Sequence, residues 1–186
     1  MSKEKTSKAI LTAALKLFSK KGYSNVTTKE ISEKAGVNEV TIFRHFKSKE
    51  KLFEEVFEQF IFKPNIPDVN ALNNKNPKEF LLCMAHSLYE IFKYNLSLIK
   101  IELKNEETSI DKMRLPLDKF ANEIKDIIID YLKKNKEINI SQPDIFTINF
   151  LSAVWGLFMN NHIIRPFKPA IDFNTCIEKL ITDLLE

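Results

Sequence analysis

The chain has 186 residues, 44% of them hydrophobic and 28% charged, the make-up of an ordinary globular protein with a core of its own. Three glycines (Gly22, Gly36, Gly156) are too few for a Gly-rich phosphate loop, a hairpin-rich β fold or collagen. The net charge of +3 is unevenly spread: residues 1–53 hold eleven Lys and one Arg against five Glu and no Asp, so the N-terminal part is +7 and the rest −4, a split that fits either a polyanion partner or a solvated basic face.

The hydrophobic spacing is helical almost throughout. Ile10, Leu11, Ala14, Leu15, Leu17 and Phe18 mark a first helix from about Thr6 to Lys20, with Gly22 behind it as a cap. Lys3, Lys5 and Lys8 read as a solvated start, with a flexible basic arm as the alternative. Thr27 and Glu30 form the S/T-x-x-E capping box of a second helix that Gly36 stops after Ala35. Asn38 is a good N-cap for a third helix, to about His45. Ser48 caps a fourth, which Pro64 and Pro67 end. Residues 63–76 read as a loop. Pro77 opens a helix to about residue 94, and Asn95 restarts one over 96–106. A break at 107–113 precedes a helix from Leu115 to Asn135 with Pro116 in its first turn. Ser141 and Pro143 open another, to about Arg165. Asp172 caps the last, to Leu185. No alternating stretch is long enough for a sheet.

Cys83 and Cys176 fit no C-x-x-C or zinc pattern and are expected as reduced thiols in a cytoplasmic protein. No signal region follows the charged start, and no apolar run approaches the ~18 residues of a membrane helix. There is no G-x-S-x-G, no H-E-x-x-H and no Cys/His pair with a reason to be adjacent, so no catalytic residue, metal or cofactor is expected.

The informative region is Leu11 to Phe53. Two short helices joined by Ala35-Gly36-Val37-Asn38 make a helix-turn-helix, whose second helix enters the major groove of DNA. Gly36 permits a left-handed turn. Val26, Ile31, Ala35, Val37, Ile42 and Phe46 are the candidate core between the helices. Glu39, Val40, Thr41, Arg44, His45, Lys47 and Lys49 stay outside it. Asn38 is first of all an N-cap and only then an adenine reader. Glu39 can accept from a cytosine amino group while it repels phosphates. Phe43 fits either the core or the sugar-phosphate chain. Lys29, Arg44 and Lys47 are candidate phosphate partners.

The run Ala13-Ala14-Leu15-x-Leu17-Phe18-x-x-x-Gly22-Tyr23-x-x-x-Thr27-Thr28-x-x-Ile31-x-x-x-Ala35-Gly36-Val37-x-x-x-Thr41-Ile42-Phe43-x-His45-Phe46-x-Ser48-Lys49-x-x-Leu52 resembles the DNA-binding domain of the TetR/AcrR family of bacterial transcription regulators. The resemblance implies an all-α homodimer of about nine helices. Residues 1–53 would form a three-helix DNA-binding domain, and residues 54–186 a larger helical domain for effector binding and dimerisation. It implies a repressor that leaves an inverted-repeat operator on double-stranded DNA when an unknown small molecule binds, although activators exist. By the same resemblance Thr28, His45 and Lys49 fall at phosphate-contacting positions, and Glu39, Val40 and Thr41 at base- and backbone-contacting ones. Phe43 stands where the family usually has Tyr, and a Phe cannot make that phosphate hydrogen bond.

The C-terminal part says less. Its pocket candidates are Met84, His86, Phe92, Leu103, Phe120, Ile124, Trp155, Phe158 and Met159, for each of which plain core packing is the stronger reading. The segment from Ile145 to Ile164 is apolar nearly all round, and Ala153 and Gly156 would let another helix come close. Dimer candidates are Phe150, Val154 and Leu157 there, and Ile177, Leu180 and Leu184 on the last helix. A protein that uses DNA as a scaffold for a partner, without an effector, is the competing function.

Overall fold

Ser2 begins the first helix earlier than the periodicity suggests. Its hydroxyl accepts from the Lys5 amide and its carbonyl from the Thr6 amide, so α1 runs Lys3–Lys21. Lys3, Lys5 and Lys8 are therefore helical and not an arm. The computed structural model describes residues 2–61, 75–104, 111–135, 140–164 and 172–185, as backbone alone over 111–120. The remaining helices are α2 (Thr28–Ala35), α3 (Glu39–Phe46), α4 (Lys49–Phe60), α5 (Pro77–Tyr94), α6 (Leu96–Glu102), α7 (Asp111–Lys134), α8 (Pro143–Met159) and α9 (Phe173–Leu185), with a π-helical turn at Asn160–Ile164. No strand occurs among the described residues, so the expected all-α class holds.

Most termini follow from local chemistry. Thr27 and Glu30 make the reciprocal capping box, and Val26 and Ile31 on either side of it are buried in one core, a hydrophobic staple. Ser48 accepts from the Lys51 amide at the start of α4, Asn76 from the Glu79 amide at α5 and Asp172 from the Thr175 amide at α9. Other boundaries differ from expectation. α7 begins at Asp111, so Pro116 lies inside it and denies residue 112 its intrahelical hydrogen-bond partner. α6 stops at Glu102, α4 ends before Pro64 and Pro67, and Arg165 and most of the 63–76 loop lie outside the described residues.

The chain packs as two units, Met1–Phe62 with Asn95–Leu115, and Lys63–Tyr94 with Pro116–Glu186. In the first, α1 packs on α2, α4 and α6, and α3 on α2 and α4. Ile10, Leu11, Ala14, Phe18, Ile31, Ile42, Phe46, Leu52, Phe53 and Val56 form its core, joined by Leu98 and Ile101 of α6. Phe18 meets Phe53 edge-on at 5.1 Å between ring centroids. Lys104, just beyond α6, donates to the carbonyls of Ser19 (2.9 Å) and Lys20 (2.7 Å) at the end of α1. In the second unit, α5 packs on α8 and α9, and Phe80 stacks on Tyr131 at 3.6 Å.

Gly36 has φ 67° and ψ 36°, and no atom lies within 4 Å of a Cβ placed there. Gly36→Ala should therefore cost backbone strain alone, about 1–2 kcal/mol. Urea unfolding should show a lower midpoint with an unchanged slope.

Candidate nucleic-acid interface

α2 and α3 hold the sequence-predicted DNA residues in two tiers. Lys29, Asn38, Val40, Phe43, Arg44 and Lys47 are exposed. Thr28, Glu39, Thr41, His45 and Lys49 are half-buried. The buried side of α3 is taken by Ile42 and Phe46, both in the core, so helical geometry turns Val40, Phe43 and Arg44 outward, and Lys47 is exposed as the residue that caps the helix. Val40 is 72% and Phe43 44% exposed. Phe43 is therefore not a core residue.

Several polar groups are already engaged. Asn38 Oδ1 accepts from the Val40 amide at 2.9 Å, so its oxygen serves the cap. The Thr28 hydroxyl donates to Glu39 Oε1 at 2.6 Å. That bond ties the first turn of α2 to the first turn of α3, and a phosphate would have to displace Glu39 to receive the Thr28 proton. Lys49 Nζ sits 4.2 Å over the Tyr23 ring, a cation–π contact. Burial lowers the Lys49 ammonium below its ordinary pKa against the pull of Glu30, and burial followed by the charge of Glu50 raises Tyr23. Glu30 is bonded to Lys21 Nζ at 2.5 Å. That bond first, and the Thr27 amide second, hold its carboxyl below the usual glutamate value. Lys47 ends α3 at φ 68°, ψ −43°, strained for a residue with a Cβ. Sequence reasoning missed the Thr28–Glu39 pair, whose only signal was their shared place at two helix starts. It also missed Lys104, whose partners lie 84 and 85 positions away.

The C-terminal candidates separate. Met84, Ile124 and Phe158 are buried core residues. Leu103 is 52% exposed and belongs to the first unit. The side chain of Phe120 lies outside the described residues. Phe92, Trp155 and Met159 are half-buried and His86 is exposed. Phe92 meets Trp155 edge-on at 4.9 Å, with Phe158 5.3 Å away. The π-helical turn sets His162 Nε2 3.1 Å from the Tyr89 hydroxyl, which also accepts from Asn161 Nδ2 at 3.2 Å. Of the dimer candidates, Phe150, Val154 and Ile177 are fully buried within the protomer and have no surface left for a partner. Leu157, Leu180 and Leu184 are half-buried. Apolar residues that do stand out on α8 are Ile145 (55% exposed) and Ile148 (56%). No helix among the described residues is long and apolar enough to cross a membrane.

The model of bacterial regulatory proteins of the tetR family matches residues 10–56. The chain is 32% identical over 158 residues to the HTH-type transcriptional regulator YvkB of Bacillus subtilis, covering 83% of this chain and 82% of that protein. It is 30% identical over 169 residues to the nucleoid occlusion factor SlmA of Vibrio campbellii, covering 85% and 84%. The structure of HlyIIR, a hemolysin II transcriptional regulator, matches with a TM-score of 0.69 over 100% of this chain and 99% of that one, at 21% identity, a likeness of fold. A chain that carries this turn in this register, and runs alongside such a regulator for most of its length, belongs to the TetR family of bacterial transcriptional regulators and is a DNA-binding regulator rather than an enzyme.

Proposed function

We propose that the chain is a repressor that binds an inverted-repeat operator as a homodimer and is released by a small molecule. The observation that carries this reading is the outer face of α3, where Val40, Phe43, Arg44 and Lys47 project from a basic helix-turn-helix that has no other packing use for them. Residues 1–53 take the DNA. Glu39 and Thr41 read base edges, and Thr28, Lys29, Arg44, His45, Lys47 and Lys49 meet phosphates. Asn38 holds the start of α3, and Phe43 lies against the sugar-phosphate chain. Residues 54–186 take the effector and the second protomer. Phe92, Trp155 and Met159, with His86 nearby, suit an apolar or aromatic effector. Release requires that the effector favour one spacing of the two recognition helices over the other.

Selection of a random duplex library should return a two-fold symmetric motif with half-sites about one DNA turn, 34–36 Å, apart. With six to ten phosphate contacts, affinity should fall about 10³–10⁵-fold from 50 to 200 mM salt. A pool without a motif, with and without screened effectors, would sink the reading.

Glu39 is the discriminating residue, since its charge opposes phosphate while its free oxygen suits a cytosine amino group. Glu39→Gln should bind DNA several-fold more tightly and lose about 1–3 kcal/mol of preference at one base pair. The check is a titration against the selected site and its single-base variants.

The dimer is proposed to form on the outer side of α8 and on α9, through Ile145, Ile148, Leu157, Leu180 and Leu184. No atom lies within 4 Å of a Cβ placed at Gly156, so Gly156→Arg should leave the protomer folded. It should give a monomer in sedimentation and lose operator affinity at least tenfold. A variant that stays dimeric would move the interface elsewhere.

A second reading, a protein that uses DNA as a scaffold for a partner, stands beside it because one relative is named for nucleoid occlusion and not for transcription. The two part on one result. A repressor gene's deletion raises transcription from promoters that carry the selected motif, and a scaffold's does not.

A further inference from the structure

α1 carries a lysine stripe that the recognition face leaves unused. Lys5, Lys8, Ala9, Thr12, Ala13 and Lys16 recur at i, i+3, i+4, i+7, i+8 and i+11, which lays them along one side of the helix. They form one wall of a cleft of about 420 Å³, and Lys34 and Ala35 at the end of α2 form the other. No carboxylate lines it. All four lysines are exposed, and among the described residues none of them makes an ion pair. The alanines keep the floor low, so a chain of groups can lie close to the backbone of both helices.

Helix stability does not explain this arrangement. Lys5 sits near the positive end of the α1 dipole, where a cation is unfavourable, and four positive charges around a cleft that no carboxylate lines repel one another. The arrangement is relieved by a polyanion. From Lys5 to Lys16 the helix rises roughly 16 Å at 1.5 Å per residue, the axial length over which one DNA strand presents about five phosphates. α2 belongs to both faces. Its first turn holds Thr28 against α3, and its last turn holds Lys34 in the cleft.

We propose that this cleft is a second DNA contact, which holds the sugar-phosphate chain of the duplex flanking the half-site read by α3. The proposal rests on the DNA-binding reading above and adds a second surface to it. Being sequence-independent, the contact lengthens the footprint without changing the motif.

The test is the full-length chain carrying Lys8→Gln, Lys16→Gln and Lys34→Gln together, with circular dichroism to verify an unchanged fold. Two duplexes are compared, one trimmed to the selected site and one extended at both ends by arbitrary sequence. Wild type should prefer the extended duplex whatever the flanks. The triple variant should lose that preference, keep the base preferences of the half-site, and show a log–log salt slope smaller by about 2–3. If wild type binds its motif and the variant keeps both the wild-type slope and the length preference, the cleft assignment is overturned while the regulator reading stands. If inorganic phosphate binds wild type and not the variant, with slope and length preference unchanged, the cleft is a free-phosphate site and the proposal is equally overturned. If wild type binds no motif at all, the regulator reading fails and takes this one with it.

Discussion

Helices of eight residues do not persist alone in water, because nucleation consumes more entropy than so few hydrogen bonds return. α2 and α3 have eight residues each. They stand because Ile31, Ile42 and Phe46 are buried in a core built on α1 and α4, at about 1.5–3 kcal/mol for each large side chain removed from water. Everything on the DNA-reading face depends on that burial. The two caps and the left-handed Gly36 set where the helices start and stop, and the core sets the angle between them.

The same core dictates what is left for recognition. With Ile42 and Phe46 turned inward, Val40, Phe43 and Arg44 have to point out. Around them, polar side chains are drawn into local structure. Asn38 caps α3, Thr28 holds Glu39, and Lys49 lies on Tyr23. The interface is thus partly organised before any DNA arrives. This lowers the entropic cost of binding and makes the Thr28–Glu39 bond a competitor for the phosphate that Thr28 would receive.

α6 shows how the reading surface is braced from far along the chain. Leu98 and Ile101 fill the core beneath α1, and Lys104 satisfies two carbonyls at the end of α1, groups that a helix terminus otherwise leaves to water. Residues 95–104 therefore belong with the N-terminal helices, although in sequence they lie well beyond the fourth.

The sequence by itself determined the all-α class, the capping box at Thr27 and Glu30, the turn at Gly36, the cap at Asn38 and the exposure of Val40 and Arg44 on α3. Each follows from neighbours within about four positions, where hydrogen bonding and helical period act directly. The start of α1 at Ser2 was local too, but Lys3, Lys5 and Lys8, spread over its first two turns, masked it. Tertiary structure decided the rest. It buried Phe150, Val154 and Ile177 inside the protomer and joined α6 to α1. It also set Lys34 of α2 opposite the lysine stripe of α1. The reason is that an apolar helix face states only that it must be covered. What covers it depends on contacts between residues far apart in the chain, and these carry no local signal.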